Sequence, residues 1–215
     1  MKRTNEPLNI NTKTYWNGVY GDEHKRSEYG SAGTADVVSN AQYKMTDKTK
    51  RFSRAVVESK SGDKVIDFGC GVGNFTTLVK KTYPDCEVWG TDISDAVIEA
   101  NKQEFPGIKY IHQYIGSQTE VPNNYFDLVF CGETIEHLEK PELAFQDAYK
   151  ALKTGGKLII TTPLRDSIIS NEHVWLFEKD DVEKFYLENG FKDVKFIDLP
   201  DMEHLFVIFG IGIKK

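Results

Sequence analysis

A glycine-rich turn follows an apolar strand in the first half of the chain, in the sequence VIDFGCGVGNF at residues 65–75. Glycine adopts positive backbone dihedral angles easily and lets backbone groups approach a ligand closely. In open α/β sheets, ligands bind beyond the carboxyl ends of the strands, where such turns lie. The segment therefore predicts a strand at 64–68, a tight ligand-binding turn and a helix with Asn74 as its N-cap.

Strand and helix signals alternate along the chain after Lys64. This alternation predicts an α/β fold with a doubly wound, mostly parallel seven-stranded sheet and helices on both faces. Only a turn at residues 200–201 separates the last two strand signals, so we expect an antiparallel hairpin with a reversed last strand. The predicted strands are 64–68, 87–91, 108–112, 127–131, 157–162, 194–199 and 205–213.

The length fits one main domain with a short N-terminal addition. At 215 residues the chain can bury a full hydrophobic core. We predict that residues 1–45 form an N-terminal helix and a lid, and that residues 46–215 form the main domain. Tyr15, Trp16 and Tyr20 are expected to cover the ligand site, and the alternative is that they only anchor the helix.

Charge and hydropathy restrict the classes of partner and the cellular compartment that we expect for this chain. The net charge of −6 disfavours a polyanionic partner, so nucleic acid is not the expected ligand. The N-terminal sequence lacks the apolar stretch of a signal peptide, and no run is long enough to span a membrane. Three cysteines without a CxxC spacing predict a reduced, cytoplasmic setting. The sequence carries no signal for the oligomeric state.

An acidic residue after the next strand completes the ligand signal. Asp92 follows the second predicted strand, about 20 residues beyond the turn, where a carboxylate can accept hydrogen bonds from both hydroxyls of a ribose. A dinucleotide fingerprint would need a third glycine at position 74, where this chain has Asn74. No Lys-Ser or Lys-Thr pair follows, which excludes a nucleotide-triphosphate loop. The combination predicts a cofactor that contains a nucleoside.

Four segments together resemble the class I S-adenosylmethionine-dependent methyltransferases. VIDFGCGVGNF is similar to their motif I, VWGTDIS to their motif II, YFDLVFCGETIEHL to the motif around the fourth strand, and LKTGGKLIITTP to the segment ending in the fifth. The similarity covers roughly residues 50–215. The resemblance implies a Rossmann-like methyltransferase fold, S-adenosylmethionine as the cofactor and methyl transfer as the activity.

The resemblance also implies roles for individual residues. Asp67 and the backbone of Gly69–Gly73 would hold the methionine end of the cofactor, Asp92 would bind the ribose hydroxyls, and Ile93 would pack on the adenine. The predicted cofactor contacts are Asp67, Gly69, Cys70, Gly71, Gly73, Asn74, Asp92, Ile93, Ser117, Gln118 and Cys131.

The predicted adenine contact departs from the family pattern. Many family members carry an aspartate that meets the adenine amino group, whereas this chain has Ser117 and Gln118 near that position, which would offer neutral hydrogen bonds. Arg51 and Arg54 precede the first strand, and we expect both on a solvated helix face. The alternative is that one of them reaches the carboxylate of the cofactor.

A candidate metal site follows the fourth strand, in Glu133-Thr-Ile-Glu136-His137. If this segment forms a helical turn, the three side chains share one face, and His173 after the fifth strand completes a set of four ligands. Two carboxylates and two imidazoles suit Mn, Fe, Co or Zn, with Mg less favoured. The alternative is that no metal binds: Glu136 caps the next helix, His137 contacts the cofactor or acts as a base, and His173 is a packing residue.

The acidic motif leads to the predicted reaction. It resembles two subfamilies, the O-methyltransferases of ubiquinone biosynthesis and the small-RNA 3′-end 2′-O-methyltransferases. In the second of these, the matching residues hold a divalent ion. We therefore predict O-methylation of a small-molecule hydroxyl, with His137 and Glu136 as catalytic residues; a divalent metal in the candidate site would assist the reaction. The alternatives are a metal-free N-methyltransferase of a small amine or amino sugar, and an RNA 2′-O-methyltransferase.

Overall fold

The computed structural model describes residues 1–3, 12–21, 51–117, 119–164, 172–199 and 207–215. Within these residues the complete helices are α1 (Lys13–Tyr20), α2 (Asn74–Thr82), α3 (Asp95–Glu104), α4 (Glu142–Ala151) and α5 (Lys179–Glu188). The strands are β1 (Lys2–Arg3), β2 (Lys64–Phe68), β3 (Glu87–Asp92), β4 (Lys109–His112), β5 (Phe126–Gly132), β6 (Leu152–Pro163), β7 (Trp175–Leu176), β8 (Phe191–Phe196) and β9 (Val207–Lys214). No helix among these residues is long and apolar enough to cross a membrane.

Seven strands form one sheet in the order β4-β3-β2-β5-β6-β9-β8. The pairs from β4 to β6 are parallel, whereas β9 runs antiparallel to both β6 and β8. The predicted fold class is therefore confirmed, including the reversed last strand. The turn predicted at residues 200–201 lies outside the described residues. Because the strand order reverses between β2 and β5, the expected ligand crevice lies at the carboxyl ends of these two strands.

The strand β8 begins earlier than the sequence predicts. It spans Phe191–Phe196 rather than 194–199, because Gly190, just beyond α5, turns the chain with a φ of 88° and Phe191 is fully buried. Asp193 has a φ of 52°, and the register against β9 shifts at this point. The shift disturbs the alternation of apolar and polar residues that the sequence prediction relied on.

Aromatic side chains pack both faces of the sheet and fix its strands. Phe75 stacks on Phe130 with 4.1 Å between the ring centroids. On the other face, the Tyr186 hydroxyl accepts a hydrogen bond from the amide of Ile160 at 3.1 Å and donates to the carbonyl of Gly210 at 2.8 Å. Each fully buried phenylalanine contributes roughly 1.5–3 kcal/mol. This packing holds β5 and β6 in place, and the candidate site lies at their carboxyl ends.

Candidate active site

The glycine turn has the backbone geometry that the sequence predicts. Gly69, Gly71 and Gly73 have φ angles of 74°, 48° and 79°. The amide of Gly69 donates to the carbonyl of Thr91 on β3 at 2.8 Å, which fixes the turn against the neighbouring strand. The N-cap of α2 is Gly73 and not Asn74, because the cap adopts a left-handed conformation that costs glycine least. Asn74 is instead the first residue of the helix.

Asp92 lies beside this turn at the end of β3. Its Oδ2 accepts a hydrogen bond from the amide of Gly71 and its Oδ1 from the amide of Ser94, both at 2.9 Å. Burial raises the pKa of Asp92, and these two amide hydrogen bonds act in the opposite direction. Because each carboxylate oxygen has a further lone pair, Asp92 can still accept from two hydroxyl groups.

Two adjoining cavities lie at the carboxyl ends of the strands. The small cavity has a volume of about 130 Å³, and the second, which we call the chamber, has a volume of about 210 Å³. Both are lined by Trp16, Tyr20, Gly69, Glu133 and His137. The other residues of the small cavity are Asp92, Ile93, Gln113, Tyr114, Ile115, Thr134 and Leu138. The other residues of the chamber are Phe52, Asp67, Cys70, Gly71, Val72, Asn74, Phe75, Phe130, Gly132, Glu136, Pro163, Glu172 and His173.

The structure does not bring Ser117 to either cavity. Ser117 is exposed, and Gln118 lies outside the described residues. Gln113 lines the small cavity beside Ile93, is only 6% exposed, and donates its side-chain amide to the carbonyl of Ser117. Gln113 directly follows β4, so the rule that pointed to Asp92 also applied to it, although the sequence analysis did not use it.

Asp67 and Cys131 were both predicted to contact the cofactor, and they lie in different surroundings. Asp67 lines the chamber, where burial raises its pKa well above the usual range and the charge of Asp92 adds to the effect. Cys131 is fully buried in the core and is not part of either cavity wall. Burial raises the pKa of its thiol, so Cys131 is an unreactive core residue.

Three of the four predicted metal ligands converge on one side of the chamber. One candidate ligand atom from each of Glu136, His137 and His173 lies within 4.8 Å of the others. The two imidazole rings have centroids 5.2 Å apart, and His137 Nε2 lies 3.8 Å from Glu136 Oε1. The amide of Val174 donates to the carbonyl of Glu136 at 2.8 Å, which joins the two segments that carry these residues.

Glu133, the fourth predicted ligand, does not join this cluster in the part of the chain that the structure describes. The expected helical turn is wrong, because Glu133 has a φ of 53° and the 3₁₀ helix spans only Ile135–His137. The Glu133 amide still bonds to β6, at 2.8 Å from the carbonyl of Thr161. Its carboxylate accepts from the Thr161 hydroxyl at 3.0 Å and lies 3.6 Å from Arg51 Nη1.

Hydrogen bonding fixes the tautomer of His137. Its Nδ1 lies 2.8 Å from the backbone carbonyl oxygen of Glu172, which only accepts, so Nδ1 carries the hydrogen. Burial lowers the pKa of His137 to about 4, although the bond to Glu172 acts to raise it. His137 is therefore a neutral imidazole at neutral pH, and its Nε2 holds a lone pair that can act as a base or a ligand.

Glu136 is held inside the protein at 1% exposure. Its Oε2 accepts from the hydroxyl of Thr162 at 3.0 Å. Burial raises the pKa of Glu136 well above the usual range, and the charge of Glu133 adds to this effect. Glu136 does not cap the next helix, because the N-cap of α4 is Pro141 and no side chain caps this helix. Burial therefore disfavours the charged form of Glu136, and a cation beside it would favour that form.

The first turns of α1 cover both cavities. Trp16 and Tyr20 stack with 5.8 Å between their ring centroids, and Trp16 meets His137 edge to face at 5.4 Å. Tyr15 does not line either cavity, and its hydroxyl donates to the carboxylate of Glu172. Two of the three aromatic residues thus form part of the ligand site, and the third ties the helix to the loop beside it.

Polar contacts fasten α1 to the start of α3. The Nδ2 of Asn17 donates to Asp95 Oδ1 at 2.7 Å, and its Oδ1 accepts from the Ser94 hydroxyl at 2.7 Å. Lys13 donates to Asp95 Oδ2 at 2.7 Å. Since Ser94 also donates its amide to Asp92, α1 is attached directly beside the carboxylate of the small cavity.

Comparison with known proteins identifies the family. A family model described as a methyltransferase domain matches residues 37–206, which is most of the chain. The chain therefore belongs to the methyltransferase domain family. The family-level prediction is confirmed, whereas the two subfamilies that the acidic motif resembles are not confirmed.

Relatives and solved structures agree with this assignment. The malonyl-(acyl-carrier protein) O-methyltransferase of Hahella chejuensis is 29% identical over 157 residues, which are 72% of this chain and 55% of the relative. Phosphoethanolamine N-methyltransferase 3 of Arabidopsis thaliana is 32% identical over 109 residues, which are 49% of this chain and 22% of the relative. This chain thus spans between 22% and 55% of the length of these relatives. The magnesium protoporphyrin IX methyltransferase of Synechocystis PCC 6803, solved with bound SAH, has the same fold, with a TM-score of 0.72, 16% identity and coverage of 94% of this chain and 97% of that one.

Proposed function

We propose that this chain is an S-adenosylmethionine-dependent methyltransferase that methylates a hydroxyl group of a small molecule. Membership in the methyltransferase domain family supports methyl transfer. The observation that carries the choice of acceptor is the hydrogen bond from His137 Nδ1 to the carbonyl of Glu172. This bond leaves Nε2 as a base in the wall of the chamber, and a hydroxyl acceptor needs such a base.

The glycine turn and its neighbours fit the proposed cofactor. A Cβ atom at Gly69 would lie 2.5 Å from Thr134 Oγ1, so the turn has no room for a side chain there and its backbone forms the wall. Asp92 would hold the ribose hydroxyls, Ile93 would pack on the adenine, and Asp67 with the turn would hold the methionine end. When bound, the cofactor supplies an electrophilic methyl group on a sulfonium.

His137 would take the proton of the acceptor hydroxyl on Nε2 while the oxygen lone pair bonds to the methyl carbon; the methyl–sulfur bond would break, with S-adenosylhomocysteine as the leaving group. With a pKa of about 4, His137 is a weak base toward an aliphatic alcohol. Without a metal, the site therefore favours an acidic hydroxyl such as a phenol; with a metal on Nε2, His137 is a ligand and cannot also be the base.

Glu136, His137 and His173 have the chemistry of a divalent metal site. One carboxylate oxygen and two imidazole nitrogens suit Mn, Fe, Co or Zn better than Mg. The carbonyl of Glu172 on His137 Nδ1 is the kind of outer contact that orients a ligating histidine. A bound cation would lower the pKa of the acceptor hydroxyl and would also stabilise the ionised form of Glu136.

Calorimetric titration with S-adenosylhomocysteine tests the cofactor, and the absence of binding would overturn the proposal. A screen of phenols and alcohols with methyl-labelled cofactor then identifies the acceptor. For the metal, Mn²⁺ affinity should fall by more than about 10- to 100-fold in Glu136→Ala and His173→Ala, because the loss of an outer contact alone costs that much, whereas Glu133→Ala should keep it. Full activity in EDTA would remove the metal and leave His137 as the base.

A second candidate is metal-free N-methylation of a small amine or amino sugar, which the similarity to a phosphoethanolamine N-methyltransferase favours. A neutral amine already offers its lone pair and needs no metal. Transfer to amines in EDTA, without transfer to hydroxyl analogues, would support this candidate. An RNA acceptor has less support, because the described residues of both cavity walls include no lysine or arginine to meet phosphates.

A further inference from the structure

The cluster of Glu136, His137 and His173 lies on two segments that the main sheet does not hold together. Glu136 and His137 belong to the 3₁₀ helix after β5, and His173 lies in the loop before β7. Neither segment is part of the seven-stranded sheet. A single turn of 3₁₀ helix is also a weak element by itself, because its hydrogen-bond geometry is poor. The spacing of the three side chains therefore depends on contacts between the two segments.

Two hydrogen bonds between these segments involve residues of the cluster directly. The carbonyl of Glu136 accepts from the amide of Val174, and Nδ1 of His137 donates to the carbonyl of Glu172, both at 2.8 Å. The first bond attaches the backbone of the 3₁₀ helix at one point. A short helix that is attached at one point can rotate about it, and such a rotation would carry the His137 ring away from Glu172. The bond of His137 therefore needs a second anchor.

The side chain of Trp175 supplies a second anchor. Its indole Nε1 donates to the carbonyl of Leu138 at 3.0 Å. Leu138 directly follows His137 and is the C-cap of the 3₁₀ helix, where carbonyl oxygens lack partners within the helix. His137 is thus held between two anchored neighbours, with Glu136 bound to Val174 on one side and Leu138 bound to Trp175 on the other.

The indole of Trp175 is itself held on several sides. Its backbone pairs with Arg3 of β1, and the guanidinium carbon of Arg3 lies 5.4 Å from the centre of its ring. Trp175 and Leu138 both pack against the main hydrophobic core. A side chain whose rotamer is fixed by packing keeps its donor in one direction. Trp175 does not line either cavity, so any effect it has on the site acts through His137.

A displaced 3₁₀ helix would change the chemistry of His137. A hydrogen bond no longer forms beyond about 3.5 Å, so a displacement of about 1 Å would break the bond from Nδ1 to the carbonyl of Glu172. A neutral imidazole carries its hydrogen on either nitrogen, and this bond selects Nδ1. Without it, part of the population would carry the hydrogen on Nε2, which would then have no lone pair for a proton or a cation.

We propose that Trp175 is a positioning residue of the acceptor site: its hydrogen bond to Leu138 keeps the His137 ring on the carbonyl of Glu172 and so keeps the lone pair on Nε2. The inference rests on the proposed function, in which Nε2 takes a proton or binds a metal. It holds in both cases, because both need the same tautomer. Trp175→Phe removes the indole N–H and keeps an aromatic ring, so it tests the hydrogen bond rather than the packing.

The tautomer of His137 can be observed directly in ¹⁵N-labelled protein in EDTA at about pH 7. Long-range ¹H–¹⁵N correlation spectra distinguish protonated from unprotonated ring nitrogens, and the signals that disappear in His137→Gln belong to this ring. The wild type should show a protonated Nδ1 and an unprotonated Nε2. In Trp175→Phe the two nitrogen shifts should move towards each other, because both tautomers are populated. A protonated Nε2 in the wild type would contradict the proposal at once.

Kinetics provide the second measurement. In Trp175→Phe, kcat for the acceptor found by screening should fall about three- to tenfold, as expected when one hydrogen bond that supports the reacting group is lost. The KM for S-adenosylmethionine should stay within about twofold, since the described contacts of Trp175 do not reach the glycine turn or Asp92.

Trp89→Phe is the matched control. The indole of Trp89 also donates a hydrogen bond, to Glu87 at 2.7 Å, and its ring belongs to the same core cluster. Glu87 begins β3, at the end of the strand opposite Asp92. The control variant should therefore keep both the tautomer of His137 and kcat.

Both changes are required of Trp175→Phe. If this variant keeps the wild-type tautomer or the wild-type kcat, or if Trp89→Phe changes both to the same extent, Trp175 contributes only stability and the proposal is wrong. Failure of the wild type to bind S-adenosylhomocysteine would instead overturn the proposed function, and the imidazole spectra would still decide whether Trp175 positions His137.

Discussion

The two halves of the candidate site differ in the groups that line them: one is lined mainly by backbone and the other by side chains. The half around the glycine turn and Asp92 consists mainly of backbone, and hydrogen bonds between adjacent strands fix it. The half around His137 consists of side chains from the 3₁₀ helix, the loop before β7 and α1. A wall of backbone cannot change without moving the chain, whereas a wall of side chains can change one residue at a time. We therefore expect substitutions in the first half to impair binding and stability together, and substitutions in the second to impair catalysis alone.

The largest effect is expected for Gly69→Ala, which changes the half around the glycine turn and Asp92, here called the backbone half. Its φ of 74° strains any other residue, and the new Cβ would lie 2.5 Å from Thr134 Oγ1. The strain alone costs about 1–2 kcal/mol, and the clash adds to it. Affinity for S-adenosylhomocysteine should fall at least about 100-fold, or about 2.8 kcal/mol, by calorimetry.

Gly155→Ala is the matched control. Gly155 also has a positive φ, of 83°, but a Cβ there meets nothing within 4 Å. It should lower the melting temperature by about 2–8 °C for the strain alone and leave the ligand affinity unchanged. Normal binding by Gly69→Ala would show that the backbone half tolerates side-chain substitution after all.

The difference between the halves also explains what the sequence could predict. The local sequence predicts the turn and Asp92, because glycine adopts positive φ angles most readily and so marks the positions where the chain needs them. The order of strands and helices, and hence the fold, follows from the same kind of local pattern. Gln113 directly follows a strand in the same way as Asp92, so its place in the small cavity was also open to prediction.

The half around His137, which we call the acceptor half, depends on contacts between segments that are distant in the sequence. The meeting of His137 and His173 follows from strand topology, but the direction of Glu133 does not, because nothing in the sequence signals a left-handed glutamate. The burial of Arg51, which is 1% exposed, also depends on distant contacts, so the sequence did not predict it. An arginine on a polar helix has the pattern of a solvated residue until the partner surface is known.

The next largest effect is expected for His137→Gln, which tests whether catalysis can be lost without a loss of cofactor binding. His137→Gln removes the lone pair of Nε2, so kcat for the acceptor found by screening should fall about 10²- to 10⁴-fold. The affinity for S-adenosylhomocysteine should stay within about twofold, since Asp92 and the turn are untouched. Glu139→Gln, an exposed position two residues later, should retain full activity. A parallel loss of cofactor affinity in His137→Gln would mean that the two halves are not independent.

A smaller effect is expected where α1 bridges the halves. Asn17→Ala removes hydrogen bonds to Ser94 and Asp95, which attach the helix carrying Trp16 and Tyr20. The loss of about 1 kcal/mol should weaken binding of S-adenosylhomocysteine about fivefold. Thr14→Ala, on the exposed side of the same helix, should have no effect. An unchanged affinity in Asn17→Ala would show that α1 belongs to the acceptor half alone.

The smallest effect is expected at β1, which pairs with β7 beside the loop of His173. Arg3 donates to both carboxylate oxygens of Glu139, at 2.9 and 3.0 Å, and lies over Trp175 at 5.4 Å. The two charged side chains are 50% and 47% exposed, so solvent screens the pair and its worth is about 0–1 kcal/mol.

Arg3→Ala should therefore lower the melting temperature by no more than about 4 °C in a chain of this size. The difference from the wild type should shrink in high salt, because exposed charges are screened. The affinity for S-adenosylhomocysteine should not change, since no contact of Arg3 reaches the glycine turn. A loss of kcat without a loss of cofactor affinity would place β1 in the support of the acceptor half. A loss of cofactor affinity would mean that the half around His137 affects binding at the glycine turn. The two halves would then not be independent.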